Sequence, residues 1–189
     1  GIGQKPPSLS PASRKMLTRF AGISSMDSFG GGFLTSALIS YWFFKRFGAD
    51  EALIGVIFFL ARAANAGSYL GAIALARRIG LLNTMVWTHV PSNLLLIAIP
   101  FALTLSVAVA LFLIRECLVE MDIPTRQSYL VSVVHPSERT FATGVVNVAR
   151  TSAWAIAPSF SGYAMSALSL SAPLYCGGLI KLVYDGLLY

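Results

Sequence analysis

Charge is what this sequence has least of: Asp, Glu, Lys and Arg together make up 12% of its 189 residues. A soluble domain carries about 25%. That deficit, with 56% apolar residues and a mean hydropathy of +0.70, argues against a solvated globular domain and for an all-α membrane protein. Acids are scarcer than bases, eight against fourteen, which leaves a net charge of +6. The bases are spread between apolar segments rather than pooled on one polar domain, so the excess reads as membrane topology and not as nucleic-acid binding. Cysteine and histidine are nearly absent. Cys117 and Cys176 sit in apolar runs without ligand-like spacing, and of the histidines His89 is deep in such a run while His135 is in a short loop. Too few ligands converge for a metal site, and no Ser-His-Asp arrangement is visible. No enzyme activity, cofactor or metal is expected. The chain opens at Gly1 without a methionine or a signal peptide, which reads as a piece excised from a longer protein.

What is present in quantity is apolar sequence in long runs. Residues 1–24 form the one sizeable polar segment. Its start, GQKPPSLSPAS, is a Pro/Ser-rich linker, and the SRKMLTRF that follows places Arg14, Lys15 and Arg19 beside Met16, Leu17 and Phe20. The latter reads as a short basic juxtamembrane helix on anionic headgroups or as a solvated linker. Residues 25–189 form a membrane domain of six spans, at about 26–45, 53–75, 82–102, 107–134, 140–165 and 168–189. Each reaches the roughly 20 residues that cross the hydrocarbon. The fourth would be about 42 Å long at 1.5 Å per residue, so it must tilt, kink or project, and Pro124 supplies a kink by freeing the carbonyl four residues back.

That fourth span holds most of the chemistry. It begins as VAVALFLI and then sets Arg115, Glu116, Glu120, Asp122 and Arg126 at membrane depth, where charges face a protein interior or a wet cavity. At about 100° per residue, Arg115, Asp122 and Arg126 share one stripe. Glu116, Glu120 and Gln127 share a second, while Ile114, Leu118, Met121 and Thr125 form a third that can face lipid. Glu120 and Asp122 are the candidate coupling acids, with Arg115 and Arg126 as partners; permanent structural pairing is the alternative. On this pattern Arg115 lies deeper, and Arg126 reaches toward the cytoplasmic headgroups.

Loop charges orient the domain. Lys5, Arg14, Lys15, Arg19, Arg77, Arg78, Arg126 and Arg139 fall on one side, against Lys45 and Arg46 on the other. The chain is therefore expected in the cell membrane as a multi-pass protein with both termini cytoplasmic.

Six spans, a basic segment before them and a long charged fourth span resemble the C-terminal half of a major facilitator superfamily transporter. The loop ALARRIGLLNT after span two is similar to that superfamily's L-A-D-R-x-G-R-R signature through Leu75, Ala76, Arg78 and Gly80. Arg77 stands at the acidic position, and Leu81 and Leu82 replace the trailing bases. PTRQSYLVSVVHPSERT and GGLIKLVYDGLLY look similar to the tenth and twelfth spans of bacterial members. The resemblance implies half of a twelve-helix fold, with an N-terminal six-helix half as partner and two inverted three-helix repeats. It also implies a small-molecule substrate held near the midplane and alternating access, with proton-coupled efflux as the activity and Arg77, Arg78, Gly80 and Arg139 as gating-loop residues. A non-transporting interaction or regulatory subunit is the alternative.

The other buried polar residues each carry two readings. Asp27, before Gly30–Gly32, reads as a helix N-cap or a coupling carboxylate, and the glycines suit close helix approach or a bend. Arg62 lines a cavity or pairs with another helix, and Gly67 and Gly71 on the same span suggest tight packing. His89, with Ser92 and Asn93, makes an interhelical hydrogen bond or relays protons. Arg150, with Asn147 and Trp154, contacts substrate or packs on span two. Lys181 and Asp185 read as a local ion pair that snorkels, and His135 and Glu138 as capping or gating contacts.

Overall fold

The computed structural model describes residues 11–188. The linker stretch 1–10, with Lys5, lies outside the described residues. Among those described there is helix and no strand, in the order α1 (Pro11–Gly32), α2 (Ser36–Phe47), α3 (Glu51–Ile79), α4 (Leu81–Ala98), α5 (Leu105–Val119), α6 (Asp122–Val133), α7 (Arg139–Ala167) and α8 (Ala172–Leu188).

Two expected spans are broken. The first is divided after Gly32, where Thr35 caps α2 by accepting a hydrogen bond from the Leu38 N–H, and Ser161 Oγ donates to the freed carbonyl of Phe33 at 3.0 Å. Helix α1 begins well before the anticipated boundary at residue 25, so Arg14, Lys15 and Arg19 belong to its opening turns. Leu17 and Phe20 are buried against Leu130, Val134, Ala142 and Val146. A segment packed this way is not lying flat on headgroups. The fourth span is divided at Glu120–Met121. A continuous helix would drive the Pro124 ring into the carbonyl of Glu120, whereas in the first turn of a new helix its missing N–H costs nothing. The expected kink is therefore a break.

These breaks, and the charges beside them, alter the membrane reading helix by helix. Helix α3, and α4 continued through a 3-10 turn to Phe101, are long and apolar enough to cross a membrane. Among the described residues no other helix meets that description, so two candidate spans stand where six were expected; the first and fourth are divided, and α8 is 17 residues long.

Two three-helix units repeat the same plan. A broken helix is followed by one of 29 residues and one of 18 in the first unit, and by 29 and 17 in the second. The packing repeats as well: α1 lies against α7 and α8 as α5 lies against α3 and α4, and α4 meets α8 across the middle. Gly32 sits where α1 crosses α7. A Cβ there would lie 2.7 Å from the Trp154 carbonyl oxygen, so no larger residue fits this crossing.

The apolar core is divided between two ends. Trp42, Phe43, Ile57, Leu96 and Phe112 fill one, and Leu17, Phe20, Leu130 and Val146 the other. A third cluster joins Phe33, Ala157, Ala164 and Ala172, and the buried charges, among them Asp27, Glu116, Asp122, Arg126, Lys181 and Asp185, form a polar layer apart from all three.

Candidate functional site

That layer is centred on Asp27 of α1. Mid-helix and 4% exposed, Asp27 is not an N-cap. Its Oδ1 accepts from Lys181 Nζ of α8 at 2.5 Å, and its Oδ2 accepts from Arg126 Nη1 of α6 at 3.1 Å. Arg150 Nη2 of α7 lies 3.6 Å from the same oxygen, while Arg150 Nε donates to Ser28 at 2.8 Å. His89 Nε2 of α4 is 3.4 Å from Oδ1. A carboxylate this buried needs paired charge to remain ionised, and three helices, α6, α7 and α8, converge to supply it, with His89 of α4 beside them.

His89 is held from both sides. Its Nδ1 is 2.6 Å from Asp185 Oδ1, Asn93 donates to the other Asp185 oxygen at 2.9 Å, and the Tyr184 ring stands edge-on at 5.5 Å. Lys181 and Asp185 thus reach different partners and do not form the local snorkelling pair their spacing suggests. The Asp185 hydrogen bond sets the tautomer and orientation of the imidazole, leaving Nε2 toward Asp27 and toward Lys181 Nζ at 3.5 Å.

A second cluster surrounds Glu116 of α5. Arg115 is paired with it, Arg62 Nη2 of α3 donates to Oε2 at 3.3 Å, and Asn65 Nδ2 donates to the same oxygen at 3.1 Å. Glu120 accepts from the Tyr69 hydroxyl at 3.1 Å.

Between the clusters lies a cavity of about 320 Å³. Both helix breaks open onto it, one through Leu34, Thr35 and Ser36, the other through Val119, Glu120 and Asp122. The eight residues expected at a substrate or coupling site, Arg62, His89, Arg115, Glu116, Glu120, Asp122, Arg126 and Arg150, all line it.

The pairing differs from the single-helix expectation. Arg126 does pair with Asp122, but Arg115 pairs with Glu116 instead of a coupling acid. Arg126 is 3% exposed and bridges to Asp27, so it does not reach the headgroups. Thr125, placed on the lipid stripe, is buried at 2%, because the break at Glu120 interrupts the angular register. Arg150 binds α1 rather than span two. Gly67 has open space around it, whereas a Cβ at Gly71 would lie 3.0 Å from Met121 Cε, so the tight packing expected of the pair occurs at Gly71 only. Asp27 and Lys181 were the site residues that the pattern of span four could not reveal; the signal was an acid and a lysine in apolar runs more than 150 residues apart.

The expected gating residues are at the periphery. Arg77 and Arg78 close the last turn of α3, and Gly80, at φ +85°, is the single residue joining α3 to α4. Arg77 borders a second cavity with Pro124 and Ser128. Arg139 opens α7 after a turn in which His135 Nδ1 accepts from the Ser137 N–H.

Asp27, His89 and Asp122 offer ligand atoms within 4.8 Å of one another. Lys181 and Arg126 already occupy the carboxylates, and a divalent cation there would face both positive heads. The set fits ion pairing and not a metal.

Over the described residues, fold and site define a helical protein with a cluster of buried charges beside a cavity between two repeated units. No family model matches the chain. An uncharacterized membrane protein of Saccharomyces cerevisiae is 30% identical to it over 155 residues, 82% of this chain and 35% of the yeast protein. The chain thus spans about a third of the length of that relative.

Proposed function

We propose that the chain is the C-terminal six-span half of a secondary transporter of the major facilitator type, moving a small molecule by alternating access in exchange for protons. In this reading both termini are cytoplasmic, the broken helices α1–α2 and α5–α6 are the first and fourth spans, and an N-terminal six-helix half supplies the other wall of the cavity. Efflux is the direction carried by the family likeness. The inside-out distribution of polarity favours a bilayer: Asp27, His89, Arg126 and Lys181 are buried, while Phe59, Leu70, Trp87 and Tyr163 are each more than 65% exposed. The membrane description of the yeast relative is consistent with it. Discontinuous helices flanking a midplane site are a recurring transporter device.

The observation that carries the proposal is Asp27, a carboxylate for which Lys181 and His89 compete at the same oxygen. With neutral His89, Nδ1–H donates to Asp185 and Nε2 can accept from Lys181. A proton arriving on Nε2 turns that nitrogen into a donor to Asp27 Oδ1, in competition with Lys181 Nζ. Loading the proton loosens the tie between α1 and α8, and losing it restores that tie. Asp122, Arg126, Arg150 and Tyr184 complete the surroundings and remain as fixed partners.

The test uses the intact protein in liposomes with a pH-sensitive dye inside and a panel of small solutes added outside. Solute-dependent proton movement is expected in wild type and is expected to be lost in Asp27→Asn and in His89→Gln. Solute flux of wild-type size, with the same proton stoichiometry, in both variants would overturn the reading.

A further inference from the structure

Helix α1 carries a second surface, away from Asp27. At about 100° per residue, Phe20, Met16, Ile23, Arg19 and Lys15 follow one another around one side of it. The order runs from core to surface: Phe20 is 7% exposed, Met16 and Ile23 are half-buried, and Arg19 and Lys15 are exposed. Tyr129 of α6 and Leu187 and Leu188 of α8 complete a groove of about 510 Å³. It is larger than the cavity of about 320 Å³ between the repeats and shares no lining residue with it.

The groove has a charged part and an apolar part. Lys15 and Arg19 are four residues apart on one helix face, so a single anionic group can meet both heads. No acid lines the groove, and among the described residues neither cation has an ion-pair partner. The rest of the wall is apolar, with the Tyr129 ring 6.0 Å from that of Phe20. Depth separates the two parts. Arg19 and Lys15 precede Asp27 by eight and twelve residues, which is about 12 and 18 Å of helix. With Asp27 near the midplane, the hydrocarbon ends about 15 Å away, between the two cations. Ile23 and Phe20 fall inside it. This end of α1 packs against the end of α6 and the start of α7, the side assigned to the cytoplasm in the proposed topology. Anionic phospholipids are concentrated in that leaflet.

We propose that the groove binds one anionic phospholipid of the cytoplasmic leaflet, its phosphate held between Lys15 and Arg19 and an acyl chain laid against Phe20, Ile23 and Leu187. The site rests on the bilayer and the orientation of the reading above, and not on transport. A soluble phosphate compound would satisfy the cations and leave the apolar wall wet. A zwitterionic lipid would cover the wall and bring no net charge to the cations.

The test uses the intact protein purified in detergent, with native mass spectrometry following bound lipid through a titration. Dioleoylphosphatidylserine is the probe, dioleoylphosphatidylcholine has the same chains without net charge, and glycerophosphoserine has the headgroup without chains. Wild type is expected to take up one phosphatidylserine at least tenfold more tightly than phosphatidylcholine, and excess glycerophosphoserine is not expected to displace it. Lys15→Gln and Arg19→Gln are each expected to weaken phosphatidylserine about fivefold and to leave phosphatidylcholine unchanged. Both side chains are exposed, so the substitutions spare the core. Arg14→Gln is the control, since Arg14 is exposed on the same helix and does not line the groove; no change is expected there. Equal affinity for the two lipids would mean that another part of the chain covers the groove, and would overturn the proposal. So would displacement by glycerophosphoserine, or a loss in Arg14→Gln as large as in Arg19→Gln, which would mark diffuse attraction in place of a site. A phosphatidylserine preference without solute-linked proton flux would leave this inference standing and remove the transport reading. Flux without the preference would do the reverse.

Discussion

Asp27 and Lys181 stand 2.5 Å apart although 154 residues of chain separate them. The contact fastens the first helix of one repeat to the last helix of the other, inside the layer that holds the remaining charges. Breaking a buried pair by removing one partner strands the other and costs about 3–5 kcal/mol, while removing both is often nearly neutral. Asp27 keeps Arg126 and Arg150 when Lys181 is lost, so Lys181→Met is expected to lower the unfolding free energy of the intact protein in detergent by about 1.5–3 kcal/mol, the scale of one hydrogen bond to a charged group. The double variant Asp27→Asn, Lys181→Met should recover part of that loss. A double variant as unstable as the sum of the single changes would show that the two side chains are not coupled.

Arg126→Ala should be more damaging than Arg115→Ala. Arg126 bridges Asp122 and Asp27, so its removal affects two buried carboxylates at once. Glu116, by contrast, keeps Arg62 and Asn65 when Arg115 is lost. The expected difference is on the order of 2 kcal/mol, the scale of one hydrogen bond to a charged group. Thermal unfolding of the two variants side by side checks the order, and a lower melting temperature for Arg115→Ala would reverse it.

The contrast between these arginines indicates what the sequence could reveal. Hydropathy and a helical period are local, so the helical class, the polar character of span four and the eight cavity residues were legible from them. Pairing is not local. Along an ideal helix Arg115 and Asp122 share a stripe, but the break forced by Pro124 resets the register after Glu120, and Arg115 turns to its neighbour. Asp27 illustrates the same limit. Its flanking glycines resemble a helix start, and the cations that identify it as a hub arrive from α6, α7 and α8. The two-unit repeat was implied by the family resemblance but could not be read from residue identities, because it resides in helix lengths and packing.

Helix crossings give a prediction independent of the charges. Gly32→Ala would place a methyl 2.5 Å from the Ala157 Cβ and 2.7 Å from the Trp154 carbonyl oxygen. Overpacking of this kind costs about 1–3 kcal/mol, so the crossing of α1 and α7 should open and stability should fall. Gly67 has nothing within 4 Å, and Gly67→Ala gains up to about 1 kcal/mol of helix propensity. The two substitutions should move the melting temperature in opposite directions. A neutral Gly32→Ala would mean that the crossing is looser than its geometry indicates.

Orientation in the bilayer can be read at two loops. Glu51 opens α3 after the short Gly48–Asp50 link, beside Lys45 and Arg46, and Ser137 lies in the turn between α6 and α7, beside Arg139. Both positions are exposed, so a cysteine at either can react without disturbing the core. In the proposed topology the excess of Lys and Arg at the loops and helix ends on the Ser137 side assigns that side to the cytoplasm. Cys117 and Cys176 are half-buried and free, so both are first replaced by serine in the intact protein. In sealed cells a membrane-impermeant maleimide is then expected to label Glu51→Cys at once and Ser137→Cys only after permeabilisation. The opposite pattern would invert the topology while preserving the spans. Labelling of both sites from outside would overturn the proposed six-span topology itself, in which α3, α4 and the broken α5–α6 are three crossings that put the two positions on opposite sides.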